Sequence, residues 1–174
     1  MKRQMKLTRY RSGWRAAAGI ATLVAATAAW AGPALALDVN GEIRVTNNAA
    51  HTAYHFTEAQ LLNLPVHEIS TSTAWTPRAA FQGPLLSDVL KTVDAYGTHI
   101  EIHTLDDYTC VVPVSDADRY RVVLAYSMNG RRLKVSDFGP LFLIYPRDAH
   151  PLELKSAAGD AKFAWQIVSM TITD

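Results

Sequence analysis

The chain has a single cysteine, Cys110, among its 174 residues. An intramolecular disulfide is therefore excluded, and a folded domain must be held together by its hydrophobic core. The sequence also contains no Gly-x-Ser-x-Gly nucleophile motif and no glycine-rich phosphate-binding loop. It thus gives no support for a serine hydrolase or for a nucleotide-binding enzyme of those types.

The first 36 residues contain no acidic side chain. Six basic residues are followed by an apolar, alanine-rich run from about residue 16 to residue 31, and Ala34 and Ala36 then form an Ala-x-Ala motif. This pattern predicts a secretory signal peptide over residues 1–36, cleavage after Ala36, and a periplasmic or secreted protein without a membrane span after cleavage. A membrane anchor is the alternative, although the apolar run is shorter than the ~20 residues that span a bilayer.

Residues 37–174 are predicted to form one domain. A chain of this length buries about two thirds of its unfolded surface. The segment carries 11 basic and 16 acidic groups, a net charge of −5. We therefore expect no nucleic acid partner.

The strongest local pattern runs from Val122 to Pro146. Apolar runs at residues 122–126 and 141–145 flank a polar ribbon that contains Asn129-Gly130, the dipeptide most typical of a two-residue hairpin turn. The basic residues after the turn are typical of a protected sheet edge, and an anion site is the alternative. They are Arg131, Arg132 and Lys134.

Helix and strand signals alternate along the rest of the domain. Thr57 and Gln60 predict a capping box, and apolar spacing predicts a helix that begins at Pro84 and stops at Gly97. Ser115 with Asp118 predicts a capped helical turn. Strands are predicted at residues 66–73, 98–104, 108–114 and 163–173, with an edge hairpin or short strand at 38–48 and a polar loop at 147–160. The fold class is therefore α+β: a mixed β-sheet with a few short helices.

Five segments in this order resemble the molybdopterin-binding domain of the sulfite oxidase family. They read FQGPLLSDVL, DDYTCVVPVSDA, LAYSMNGRRL, GPLFLIYP and FAWQIVSMTI. The resemblance implies a domain whose loops hold a pterin, with molybdenum bound through a cysteine thiolate after the strand at 66–73. The corresponding stretch, Thr71–Trp75, has no cysteine, and neutral hydroxyls are poor replacements for a soft thiolate. The resemblance also implies an arginine in GPLFLIYP that faces the anionic cofactor or substrate, and Phe142 or its neighbour stands there instead.

The leader also argues against a bound cofactor. Family members that carry the cofactor are exported folded, through a twin-arginine signal. The leader here contains Lys2-Arg3 and Arg9-Tyr10-Arg11 but no Arg-Arg pair, which predicts export of an unfolded chain. We therefore expect no bound cofactor, and molybdopterin is the alternative that the resemblance implies.

Candidate cofactor-binding residues follow from the resemblance and from the basic and aromatic residues near it. They are Thr73, Trp75, Arg78, Tyr108 and Arg131. Trp75, Tyr108, Tyr126 and Trp165 could line a site for a planar ligand or could fill the core. We predict no metal site, because His99 and His103 lie too far apart on one strand to bind one ion. Cys110 is the alternative metal ligand, although its strand context favours a small core residue.

Three functions are consistent with these patterns. The preferred hypothesis is an exported member of the fold that has lost the metal thiolate and acts as a ligand-binding or accessory protein, with a small anionic or planar ligand or a protein partner. The alternative is an active molybdopterin-dependent oxidoreductase that holds the cofactor without the usual cysteine. A third hypothesis is a partner of an exported enzyme or of a membrane sensor.

Overall fold

The computed structural model of the protein describes residues 34–174. The predicted signal peptide lies outside the described residues except for residues 34–36, so it remains a prediction. Within the described part, no helix is both long enough and apolar enough to cross a bilayer.

Eleven strands and five short helices make up the described part of the chain. The strands are β1 (Leu37–Gly41), β2 (Ala53–Phe56), β3 (His67–Thr71), β4 (Ala79–Gly83), β5 (His99–Thr104), β6 (Thr109–Pro113), β7 (Val123–Ala125), β8 (Ser127–Met128), β9 (Arg131–Arg132), β10 (Phe142–Ile144) and β11 (Ile167–Thr173). The helices are α1 (Glu58–Asn63), α2 (Leu86–Thr92), α3 (Asp116–Arg119), α4 (Pro151–Leu154) and α5 (Ala157–Asp160). This composition confirms the predicted α+β class.

The larger sheet has five strands in the order β2-β1-β11-β5-β6. Only the β1–β11 pair is parallel, and the other three pairs are antiparallel. Alternate residues of β5 are buried, so Ile100 and Ile102 face the core as predicted while His99 and His103 face outward. The final strand of the chain therefore lies at the centre of this sheet.

A second sheet has four strands in the order β3-β4-β8-β9 and ends in the predicted hairpin. Asn129 and Gly130 both have positive φ, 51° and 72°. A type I′ turn needs this conformation at both central positions, and Asn-Gly supplies it at low cost. The prediction of a turn at Asn129-Gly130 is thus confirmed.

The two apolar runs of the predicted central segment form β7 and β10, which pair with each other and are fully buried. The end of β4 approaches them closely. A Cβ atom on Gly83 would lie 2.0 Å from the carbonyl oxygen of Leu124, so only glycine fits there. Backbone hydrogen bonds from Leu124 to Pro84 and from Tyr126 to Gln82 continue this contact.

Several predicted boundaries are wrong in detail. Helix α2 begins at Leu86 rather than at Pro84. It ends at Thr92, before the predicted stop at Gly97, and the residue with positive φ after the helix is Asp94. Of the two alternatives at residues 38–48, the short strand is confirmed as β1, but it is not at an edge, because β11 and β2 pair with it on either side.

Two predictions about short helices also need correction. Ser115 precedes α3 but makes no side-chain capping bond. The polar segment at 147–160 is not a simple loop, because it contains α4 and α5. Pro151 begins α4, and Ser156 caps α5 by accepting a hydrogen bond from the Gly159 N–H. The capping box of Thr57 and Gln60 at α1 is confirmed.

Candidate functional site

The segment after β3 forms a tight turn that is stabilised by its own hydroxyl groups. The Thr73 hydroxyl oxygen accepts hydrogen bonds from the N–H groups of Trp75 at 3.1 Å and Thr76 at 2.9 Å. The Thr73 N–H donates to the Thr76 carbonyl oxygen. Short hydroxyl side chains stabilise turns in this way. Thr73, a predicted cofactor-binding residue, therefore orders the turn that carries Trp75.

The start of the same segment is bonded to Asp148, which follows β10. The N–H and hydroxyl of Ser72 donate to the two carboxylate oxygens of Asp148 at 2.8 and 2.7 Å. The Asp148 N–H donates in turn to the Thr71 hydroxyl oxygen at 3.0 Å. Lys155 Nζ lies 2.9 Å from the carboxylate. Lys155 and the Ser72 donors hold the pKa of Asp148 well below its usual range.

A pocket of about 370 Å³ opens beside this turn. Three aromatic side chains from distant parts of the chain meet there: Trp75 after β3, Tyr108 before β6 and Trp165 before β11. The complete lining consists of Trp75, Asp106, Tyr108, Ala157, Asp160, Ala161, Phe163 and Trp165. The structure thus brings together Trp75 and Tyr108, two of the predicted cofactor-binding residues. With Trp165, they are three of the four aromatic residues that were predicted to line a site for a planar ligand.

The aromatic lining is continuous with the core. The Trp75 and Trp165 rings meet edge to face with centroids 4.8 Å apart. Trp165 also contacts Phe138 and Phe142, at 6.0 and 6.1 Å. Phe138 and Phe142 are stacked at 5.0 Å, and Phe142 is fully buried. Phe142, which lies at or next to the position where the resemblance implies an arginine, therefore belongs to an aromatic cluster that supports the pocket.

Two carboxylates but no basic residue line the pocket. Asp160 is paired with Arg147, whose Nε and Nη2 donate to its two oxygens at 2.8 and 3.3 Å. Asp106 accepts hydrogen bonds from the Thr104 hydroxyl at 2.5 Å and, more weakly, from the Tyr108 N–H at 3.4 Å. The Thr104 bond lowers the pKa of Asp106, so this carboxylate is ionised at neutral pH.

An ion pair between a buried aspartate and a partly buried lysine fixes the segment that leads to Phe163 and Trp165. Lys162 Nζ donates to Asp116 at 2.6 Å, and the Tyr145 hydroxyl donates to the same oxygen at 3.2 Å. Burial, followed by the nearby Asp116 charge, raises the pKa of Tyr145, so the phenol remains a neutral donor. The Lys162 charge is thus directed to Asp116 and not to the pocket.

Cys110 lies on β6 among core residues and does not line the pocket. It is 8% exposed, and burial raises the pKa of its thiol to about 11. The thiol is therefore protonated at neutral pH, whereas metal binding needs the thiolate. Within residues 34–174, no three His, Cys, Asp or Glu side chains cluster in a way that could hold a metal ion.

The predicted basic site residues lie away from the aromatic pocket. Arg78 is exposed and does not line it. Arg131, on β9, lines a separate cleft of about 430 Å³ near the hairpin turn. Tyr126 also lies outside the aromatic pocket, under the guanidinium of Arg132 at 5.0 Å. The structure therefore does not bring Arg78 and Arg131 to the aromatic side chains.

Sequence reasoning missed three carboxylates that shape the site: Asp106, Asp148 and Asp160. Asp148 and Asp160 lie in the segment that we predicted as a polar loop, and Ser72 is 76 residues away from Asp148. A weak signal existed for Asp106, because Asp106-Asp107 precedes Tyr108 in the sequence.

Comparisons with known proteins agree with this fold. The profile of the family described as oxidoreductase molybdopterin binding domain matches residues 41–150, more than half of the chain. No curated protein sequence matches this one. Among solved structures, the fold is similar to the sulfane dehydrogenase SoxCD from Paracoccus pantotrophus, with a TM-score of 0.60 and 17% identity. That similarity covers 80% of this chain and 38% of the SoxCD chain. The chain belongs to the oxidoreductase molybdopterin binding domain family.

Proposed function

We propose that the protein is an exported binding protein that uses the molybdopterin-domain fold without the molybdenum thiolate. The observation that carries the proposal is the use of the Thr71–Trp75 hydroxyls within the protein. Thr71 and Ser72 are bonded to Asp148, and Thr73 is bonded to the turn. These groups would have to break existing hydrogen bonds before they could act as ligands.

The remaining residues also fit the anionic, metal-bound cofactor poorly. The only thiol in the chain, Cys110, is buried, protonated and outside the pocket. Phe142 is packed among aromatic rings and offers no charge that could face an anionic cofactor. The pocket lining itself has carboxylates and no base. A pocket of this composition suits a planar or apolar ligand better than a pterin phosphate.

Elemental analysis tests the loss of the metal. The full chain is purified from a host that makes molybdopterin and is analysed for molybdenum per mole of protein. We expect no stoichiometric molybdenum and no visible absorption band. Stoichiometric metal would contradict the proposal and favour the oxidoreductase alternative. Cys110→Ser would then show whether the metal depends on the only thiol.

Export is tested separately by the mature N-terminus. Mass spectrometry of protein from the periplasmic fraction should find Leu37 as the first residue. A matched variant with Ala34 and Ala36 both changed to Gln should retain the leader, because small residues at these two positions define the cleavage site. An uncleaved wild-type chain would contradict this part of the proposal and favour the membrane anchor.

A further inference from the structure

The aromatic side chains of the pocket are not covered by the protein's own cations. Within residues 34–174, Arg and Lys side chains stack on four tyrosine rings. These are Tyr96, Tyr120, Tyr126 and Tyr145. Trp75 and Tyr108 are 45% and 46% exposed, so ring surface remains open to a ligand. The faces of Trp and Tyr rings attract positive charge through their quadrupoles.

The charged residues of the pocket are both acidic, so they attract positive charge as the aromatic rings do. Asp160 already has Arg147 as its partner at 2.8 Å. Asp106, by contrast, has no Lys, Arg or His partner within 4.0 Å in the described part of the chain, and its hydrogen bonds come from neutral groups. An anion placed here would meet the Asp106 charge with no base to offset it. A cation would supply the missing counter-ion.

The pocket also restricts the kind of cation. A primary ammonium carries three N–H donors, each of which needs an acceptor when it leaves water. The lining offers the Asp106 carboxylate and that of Asp160, which Arg147 already occupies, but most of it is the apolar surface of Trp75, Phe163, Trp165 and two alanines. A fully alkylated ammonium has no N–H to satisfy and presents methyl groups to such a surface. The chemistry of the lining therefore favours the alkylated form.

The aromatic lining is already in position. The Trp75 ring meets the rings of Trp165 and Phe163 edge to face, with centroids 4.8 and 6.3 Å apart. Trp165 packs in turn on the buried Phe142. The volume of about 370 Å³ lies near the lower end of typical ligand sites, so it suits a small molecule.

We infer that the pocket binds a small organic cation with an alkylated ammonium group, with Trp75, Tyr108 and Trp165 around the cation and Asp106 as its counter-ion. This inference rests on the proposed binding function and adds the chemical class of the ligand. It assigns no chemical reaction to the protein.

Choline and its neutral isostere, 3,3-dimethylbutan-1-ol, form a matched pair of probes. They differ in the replacement of the quaternary nitrogen by carbon, so shape is kept and charge is removed. Binding is followed by tryptophan fluorescence in the full chain carrying Trp14→Phe and Trp30→Phe, in which Trp75 and Trp165 are the only tryptophans. We expect choline to bind about tenfold more tightly or better, because only the charged probe gains from the ring faces and from Asp106.

Two variants identify the residues responsible. Asp106→Asn should weaken choline binding about tenfold and leave the neutral alcohol unaffected. Asp107→Asn is the matched control, since Asp107 neighbours Asp106 but does not line the pocket, and it should bind choline as the parent does. Trp75→Leu, at a position that is 45% exposed, should weaken choline binding by a similar factor.

Each outcome bears on the inference. Choline preference that is lost in Asp106→Asn and kept in Asp107→Asn supports it. Equal binding of both probes would overturn the cation inference and leave the binding function standing. Binding of neither probe, or tighter binding of the anionic isostere 3,3-dimethylbutanoate, would also overturn it. Molybdenum analysis of the same preparation shows separately whether the proposed function fails.

Discussion

Two carboxylate–lysine pairs fix two of the three segments that line the pocket, and they do so in different surroundings. Asp148 and Lys155 are bonded near the surface, with side chains 21% and 42% exposed, and Asp148 also receives both Ser72 donors. Asp116 and Lys162 are 5% and 28% exposed. Removal of one partner should therefore cost more at Asp116 than at Asp148, because water can replace a lost partner only at an exposed site.

The largest expected effect is that of Lys162→Met. This change leaves the buried Asp116 carboxylate with the Tyr145 hydroxyl as its remaining donor, and an uncompensated buried charge costs about 3 kcal/mol or more. We expect the free energy of unfolding, measured in urea by circular dichroism, to fall by that amount.

The double variant Asp116→Asn with Lys162→Met provides the control. It removes both charges, so it should recover a large part of the lost stability. If Lys162→Met alone costs less than about 1 kcal/mol, water reaches Asp116 and the contrast between the two pairs is broken.

A smaller effect is expected for Asp148→Asn. The amide oxygen can still accept one bond from Ser72, but the charge that Lys155 meets is lost, at a cost of about 1–2 kcal/mol. Asp137→Asn, at an exposed aspartate with no ion pair among the described residues, should change stability by less than about 0.5 kcal/mol. Equal effects of the two variants would show that Asp148 does not fix the turn.

The smallest and most specific effect concerns pH. The folded state lowers the pKa of Asp148, so its contribution is complete above the unfolded pKa of about 3.9 and declines as pH falls through that value toward the folded one. The stability difference between the wild type and Asp148→Asn should therefore be constant from pH 7 to about 5 and should shrink below about pH 4. Urea unfolding of both proteins at several pH values measures it. A difference that stays the same down to about pH 3 would contradict the assigned cause.

Features specified by neighbouring residues could be predicted from the sequence. The capping box at Thr57 and Gln60 joins residues three apart, and the Asn129-Gly130 turn depends on two adjacent residues. The alternation of apolar and polar residues along β5 also predicted correctly which of its side chains are buried. Such signals, together with the order of the segments, were sufficient for the fold class and the family.

The site depends on contacts between segments that the sequence does not relate. Trp75 and Tyr108 were predicted as site residues, but the pocket that joins them with Trp165 needs three loops to meet. The Ser72–Asp148 and Lys162–Asp116 bonds span 76 and 46 residues. The start of α2 shows a further limit, because Pro84 bonds through its carbonyl to Leu124 in β7 instead of beginning the helix. Tertiary contacts thus determine the composition of the pocket and the start of α2, which local sequence patterns do not specify.

The place of β11 at the centre of the five-stranded sheet has a consequence for the order in which that sheet can form. Both β1, which begins at Leu37, and β5 need β11 as their neighbour, and β11 ends at Thr173, one residue before the last. The five-stranded sheet therefore cannot be completed before residues 167–173 are available to pair with both strands. Folding of the first strand of this sheet thus depends on the last strand of the chain.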